Sequence, residues 1–300
     1  MAEKEVQYIE FVKNRFPQLN INKIDFNLKD EKYADLVTIN DEIVFKFSKY
    51  DWTVAFLENE VNMISFLQPD CSIPLPIIER LEKGIAKYSL IKGVPLIRDD
   101  ILLLGNKEQD YIAEQIGVFL RALHTVSLKT LKDRKISESP VNLTRQGWLA
   151  EFEEIQRKVF PYCENSTKDA IQRMTQPVIE NDDFFEYEPA LIHGGLVPQH
   201  FFFDKDRNRI NGITGFELSG IGDPAYDISV LIMHFGETFT KRISRYYRNI
   251  NPIIDRARFY VFANHLNWTK KVSDMITTRD FSNFQFLLHE SDIMPIGCKW

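Results

Sequence analysis

His193-Gly194-Gly195-Leu196-Val197-Pro198-Gln199-His200, followed by Ile213-Thr214-Gly215-Phe216-Glu217, is the stretch on which the reading of this chain turns. Short apolar runs near 190–193, 200–204 and 209–215 predict strands, and the glycine-bearing segments lie at their ends. Around them the apolar spacing is helical, with helices expected at 107–125, 143–160, 167–181, 224–248 and 251–276. The first part of the chain has a different character. A helix is expected at 4–16, then strands at 22–28, 35–40 and 42–48 with Asn40-Asp41 as a turn, and a helix at 52–67. Pro74 and Pro76 open an extended region, and 78–96 reads as a hairpin about Lys83-Gly84. The pattern predicts an α+β protein of two lobes: a small strand-rich lobe over 1–92, a hinge over 93–97 and a larger helical lobe over 98–300.

The composition sets the background. A chain of 300 residues with 44% hydrophobic content can bury one large core or two modest ones. Cys71, Cys163 and Cys298 are far apart and odd in number, which gives neither a disulfide framework nor a metal cluster and suits a reducing cytosol. The N-terminus is charged, without the apolar core of a signal peptide, and no apolar run approaches a membrane span. A net charge of −6 disfavours nucleic acid as a partner. A cytoplasmic protein with no membrane or nucleic-acid partner is expected.

Two positions in the first lobe can be argued from physical chemistry alone. In Ile43-Val44-Phe45-Lys46-Phe47, alternation puts Ile43, Phe45 and Phe47 on one face and Lys46 with Val44 on the other. Strand pattern alone would leave Lys46 exposed. Glu60, however, has Phe56, Leu57, Met63 and Ile64 as its helical neighbours, so a carboxylate sits within an apolar stripe. A buried carboxylate needs a cation, and Lys46 on the adjacent strand is the economical partner.

Several segments in this order resemble the aminoglycoside phosphotransferase family, within the wider kinase-like superfamily, and most of all the subgroup that modifies the double-primed ring. They are residues 43–46, Glu58-Asn59-Glu60-Val61, Ile91-Lys92-Gly93-Val94-Pro95-Leu96, Phe119-Leu120-Arg121-Ala122-Leu123-His124, Leu191-Ile192-His193, His200-Phe201-Phe202-Phe203-Asp204 and Gly222-Asp223-Pro224-Ala225-Tyr226-Asp227. The resemblance implies a two-lobed protein-kinase-like fold. It implies that Lys46 and Glu60 hold nucleotide phosphates, and that Ile91 and Gly93 belong to the nucleotide-binding hinge. His193 would brace the catalytic loop, as would Asp223 and Asp227 around the start of a helix, and His200 would be a magnesium ligand. ATP or GTP is the cofactor this family resemblance allows.

The chain departs from that pattern at the positions that carry chemistry. Where the family has its proton-accepting aspartate the chain has Gly195, and where it has the main magnesium ligand the chain has Gly215. Magnesium demands oxygen ligands, so His200 would remain a lone and poor one, and magnesium binding is expected to be weak or absent. Glu217 shares strand parity with Gly215 but would lie about 6–7 Å further along, too far to replace it. Asp204 reads as the cap of the turn after its strand. The segment expected to cover the phosphates, Asn27-Leu28-Lys29-Asp30-Glu31-Lys32-Tyr33-Ala34-Asp35, has adjacent acids and no glycine, the first glycine of the chain being Gly84.

At the substrate end the last long helix carries Tyr260, Phe262, Asn264, His265, Asn267, Trp268, Lys270 and Lys271, aromatic and basic where cationic aminoglycosides would call for acids. Glu290 and Asp292 beside His289 fall past the end of the resemblance and read as solvated tail residues. The expectation is a pseudokinase that binds a small molecule, a nucleotide or a protein partner without efficient phosphoryl transfer. The alternative is an active, divergent small-molecule kinase, ATP- or GTP-dependent, that uses the same cleft.

Overall fold

A computed structural model of the chain describes residues 3–28, 33–275 and 292–299. In the N-terminal part, helix α1 (Glu3–Arg15) precedes strands β1 (Ile24–Asn27), β2 (Ala34–Ile39) and β3 (Ile43–Ser48), helix α2 (Val54–Leu67), and strands β4 (Ile78–Glu82) and β5 (Ile85–Ser89). These strands form one antiparallel sheet in the order β1-β2-β3-β5-β4. The β2–β3 hairpin turns through Asn40 and Asp41, at φ of 55° and 54°. Two successive left-handed residues match the right-handed twist of the flanking strands, and asparagine and aspartate tolerate that conformation.

The alternation of β3 places its two faces in different surroundings. Phe45 and Phe47 are buried beneath α1, where Phe47 stacks on Tyr8 at 4.1 Å and meets Phe11 edge-on, and Phe45 packs against Phe16. Lys46 points to the opposite face, toward α2, and is only 6% exposed. The lysine that strand pattern alone would have left in water is therefore inside.

A short strand β6 (Val94–Pro95) leads out of the sheet, followed by helices α3 (Arg98–Leu103), α4 (Asn106–His124), α5 (Leu128–Asp133), α6 (Arg145–Lys158) and α7 (Asn165–Glu180). Then come β7 (Ala190–Ile192), β8 (Phe201–Asp204), β9 (Arg209–Ile213), β10 (Gly220–Gly222), α8 (Pro224–Phe235), α9 (Glu237–Ile243) and α10 (Ile250–Met275). The chain is α+β, with a sheet region followed by a helical region that holds the larger apolar core, centred on α4, α8 and α10.

The helices differ from expectation in two ways. The helix expected over 224–248 is two helices, because Gly236 takes φ +85° between α8 and α9. A residue with positive φ and extended ψ cannot continue an α-helix. Secondly, α3 and α5 are six-residue helices that the periodicity did not reveal, since so short a run barely samples one face.

The segment after α10 also differs from a solvated tail at Asp292. Its backbone carbonyl accepts from Glu237 N at 2.9 Å, and its carboxylate accepts from Thr238 Oγ1 at 2.8 Å and Thr238 N at 3.2 Å. Arg258, fully buried, pairs with Glu237 and donates to the Cys298 carbonyl at 2.7 Å, which fastens residues 292–299 to α9 and α10. His289 and Glu290 lie outside the described residues, as do the side chains of His265, Asn267, Trp268, Lys270 and Lys271.

Candidate functional site

The elements bring a buried charged cluster together between sheet and helices. Lys46 enters it from the central strand β3, where it lies opposite Leu36 on one neighbour and Ala86 on the other. Glu60 enters from the apolar face of α2, and its Oε2 accepts from Lys46 Nζ at 2.6 Å. A third group completes the cluster. Glu217 makes a short ion pair with Lys46 through Oε1, so one ammonium is bracketed by two carboxylates. All three side chains are less than a tenth exposed.

Glu217 arrives there because the chain is not a strand at this point. Gly215 adopts φ +87° and ψ 36°, and residues Phe216–Leu218 form a single 3-10 turn. Strand alternation fails after a left-handed residue, so Glu217 is turned onto Lys46 rather than following strand parity with Gly215. Asn59, one residue before Glu60, holds this turn: its Nδ2 lies 3.3, 3.1 and 2.8 Å from the carbonyls of Phe216, Glu217 and Ser219. The glycine at 215 was the sequence signal that strand geometry would stop, and the role of Asn59 had no such signal.

The charges of the cluster follow from burial and shared partners. Burial opposes the charge on Lys46, but Glu217 and Glu60 hold its pKa well above the ordinary lysine value. Burial, reinforced by repulsion from Glu217, pushes Glu60 up to about 7. Burial also acts against Glu217, yet the charges of Lys46 and His200 bring it down to about 2. Two carboxylates share one ammonium, and their repulsion raises Glu60 while Glu217 is lowered.

The loop from β7 to β8 is braced from behind by Asp227. Its carboxylate accepts from the backbone N–H groups of His193 and Gly194, both at 2.8 Å, and lies 3.1 Å from His124 Nε2. Burial opposes its ionisation, but the hydrogen bond from His124 keeps its pKa below the ordinary value. Asp223 caps α8 by accepting from Ala225 N at 2.9 Å, and it takes further bonds from Arg256 Nε at 2.7 Å and Tyr260 OH at 3.0 Å. His193 is fully buried, 4.3 Å from the Phe216 ring, and burial pushes its pKa down to about 4. The neutral ring donates from Nε2 to the Thr214 carbonyl at 3.1 Å. Asp204 accepts from the backbone of Asp206 and Arg207, the turn cap expected of it.

The two glycines differ in their surroundings. A Cβ on Gly195 would meet its nearest neighbours, His200 Cε1 and Nδ1 and the Gly215 carbonyl, at 3.8, 3.9 and 4.0 Å, which is ordinary contact. A Cβ on Gly215 would overlap the imidazole of His200. That ring is held by a bond from Nδ1 to the Gly195 carbonyl at 2.6 Å, in which a carbonyl can only accept, so Nδ1 carries the proton. These donors do not suit magnesium. Positions 195 and 215 supply no carboxylate, the Glu217 carboxylate is engaged with Lys46, and His200 leaves only its Nε2, a nitrogen where magnesium demands oxygen.

Ile91 and Gly93 lie on the stretch that joins the sheet to the helical region. Ile91 rests against Gly212, and Gly93, at φ +149°, approaches the backbone of Phe202 and Phe203 so closely that a Cβ would fall 2.8 and 2.9 Å from it. Lys92 is tied down by Asn211 Nδ2, 3.1 Å from its carbonyl, and β6 pairs with β8. Of the acidic segment expected over the phosphates, Asp30 and Glu31 fall outside the described residues, and Asp35 is buried, accepting from Tyr8 OH at 2.7 Å.

A two-lobed frame with these elements is the fold of the kinase-like phosphotransferases. The chain belongs to the phosphotransferase enzyme family, whose sequence profile matches residues 31–260. Among solved structures, the GDP complex of wild-type aminoglycoside 2'-phosphotransferase-IIIa shares the fold with a TM-score of 0.82 and 22% identity, over 95% of this chain and 97% of that one. The streptomycin-ATP-APH(2")-IIa ternary complex gives 0.69 and 22% over 96% and 98%. By sequence, viomycin phosphotransferase of Streptomyces vinaceus is 22% identical over 157 residues, 52% of each protein. The uncharacterized protein YcbJ of Bacillus subtilis (strain 168) is 32% identical over 72 residues, 24% of this chain and 23% of YcbJ. The chain thus spans about half the length of the first of these relatives and under a quarter of the second. Among the described residues no helix is long and apolar enough to cross a membrane.

Proposed function

We propose that this chain is a pseudokinase of the phosphotransferase enzyme family, which uses the cleft between its lobes to bind a small molecule, a nucleotide or a protein partner without efficient phosphoryl transfer. The observation that carries this reading is the state of Gly215: the ring of His200 fills the space its side chain would need, while Glu217 turns onto Lys46. A phosphotransferase of this kind needs a carboxylate to take the substrate's proton and another to hold magnesium. Loss of a positioned general base alone removes roughly 10²–10⁴ in rate, and loss of metal charge stabilisation adds to it. The ammonium that would meet nucleotide phosphates is engaged by two carboxylates of the chain itself. Residues 93–97 are the proposed hinge between the lobes, and the three free thiols suit work in a reducing cytosol.

A second reading, an active kinase of altered chemistry, draws support from the relatives named as phosphotransferases and from the ATP and GDP in the structures of fold neighbours. In it, Glu217 would leave Lys46 to serve the metal. The two readings part in a thermal melt of the full chain with ATP or GTP, with and without magnesium, followed by a phosphate-transfer assay against hydroxyl compounds including kanamycin and streptomycin. The pseudokinase reading expects no magnesium-dependent stabilisation and no transfer. A magnesium-dependent rise in Tm together with turnover would sink it.

A further inference from the structure

A cavity lies behind α2, on the side away from Lys46. Of about 570 Å³, it runs between one face of α2, from Ala55 to Phe66, and the turn formed by residues 134–137 after α5. Eleven helical rises make that wall about 16 Å long. The lining is chemically mixed. At the Phe66 end stand Arg134, whose guanidinium lies 5.7 Å from the Phe66 ring centroid, and Lys135. Neither has a carboxylate partner among the described residues. The rest of the lining includes Asn59, Asn62 and Ser137, neutral groups that donate and accept. Glu58 also borders the cavity, but its carboxylate is engaged by Arg80 Nε at 2.8 Å and by the Gly84 N–H at 3.1 Å.

We infer that this cavity is a binding site for a small phosphate monoester with a polyhydroxyl body, its phosphate on Arg134 and Lys135 and its hydroxyls on Asn62, Ser137 and the free carbonyl of the Asn59 amide. Two adjacent cations on a protein of net charge −6 select an anion at that end, and a phosphate uses both. The amide and hydroxyl wall selects a hydrogen-bonding body over an apolar one. The size suits a ligand of this class, since small-molecule sites commonly fall within roughly 300–1,000 Å³. Asn59 connects this cavity to the cleft. The same side chain that borders the cavity donates to the carbonyls of Phe216, Glu217 and Ser219, so an occupant that orders Asn59 steadies the turn carrying Glu217. The inference does not depend on whether the cleft transfers phosphate.

Glucose 6-phosphate is the probe, titrated calorimetrically into the full-length chain, with glucose and inorganic phosphate as separate arms. Saturable binding of glucose 6-phosphate, tighter than either arm, is expected. The double substitution Arg134→Glu with Lys135→Glu should weaken it at least tenfold, as should Asn62→Ala with Ser137→Ala, with melting temperatures unchanged in probe-free protein because all four side chains sit at the cavity edge. Hydrogen exchange at residues 216–219 should slow on saturation. Absence of binding, binding indifferent to the charge reversal, or inorganic phosphate binding as tightly as the ester would each overturn the site as described. Binding with unchanged exchange at 216–219 would overturn the link through Asn59.

Discussion

His200 occupies the volume that a side chain on Gly215 would need, and it is kept there by its bond to the carbonyl of Gly195. The two glycine positions are thereby tied together through one imidazole. Gly195 retains room for a side chain and Gly215 does not.

Substitution at these two sites should therefore give unequal results. Gly215→Ala is expected to cost about 2–4 kcal/mol, combining the left-handed backbone with overlap against His200. Gly195→Ala should cost about 1 kcal/mol or less. Adding His200→Ala to Gly215→Ala should restore the steric part, and urea denaturation of the four proteins forms a double-mutant cycle that reads it. Additive losses would show that the ring and the glycine are independent. Aspartate placed at both positions will not by itself build a metal site, because His200 has to move first.

The cluster of Lys46, Glu60 and Glu217 makes a second prediction. Lys46→Met leaves two buried carboxylates without their cation and should cost about 3–5 kcal/mol. Adding Glu217→Gln removes the repulsion and should recover a large part of that loss. If Lys46→Met melts like the parent, the three groups are not sharing a buried charge.

Stability should depend on pH with a sign that changes across the neutral range. Glu60 is raised in the folded state, so its contribution is fully present below the ordinary glutamate value of 4.5 and is lost as the pH rises through about 7. His193 acts in the opposite sense. Its folded pKa of about 4 lies below the ordinary 6.5, so its contribution is present above 6.5 and is lost as the pH falls toward 4. Glu217 loses its contribution only as the pH falls from 4.5 toward 2. Between 4.5 and 6.5 the first two slopes oppose each other. Glu60→Gln should remove one of them, leaving stability that climbs with pH from 4 to 6.5 and then levels, as read from urea midpoints across a pH series. An unchanged profile in that variant would show that Glu60 does not titrate near neutrality.

Asp227 supplies a test of the loop brace. Asp227→Ala leaves the N–H groups of His193 and Gly194 without their acceptor and removes the partner of His124, at an expected cost of about 2–5 kcal/mol. Hydrogen exchange should speed up first at 193 and 194. A global loss with those amides still protected would mean that another group holds the loop.

What the sequence could reveal was set by local periodicity and by charge placed against it. Glu60 stood out because a carboxylate interrupted an apolar helical stripe, and Lys46 because the strand alternation turned it away from Phe45 and Phe47. The two lobes and the turn at Asn40-Asp41 followed from the same local rules. The break at Gly236 was hidden because apolar spacing continued across it, and the anchoring of Asp292 because its partner Thr238 is far away in sequence.

For Glu217 and His200 the identity of each residue was in plain view, but not its partner. One left-handed residue at 215 redirects everything after it, so Glu217 meets Lys46 and Gly215 meets His200 only once the chain has turned. The sequence by itself determined that positions 195 and 215 are glycines and carry no carboxylates. Tertiary structure alone decided what stands in their place, because a buried ammonium and a vacated side-chain volume are satisfied by whichever groups the fold brings within contact distance, irrespective of their separation along the chain.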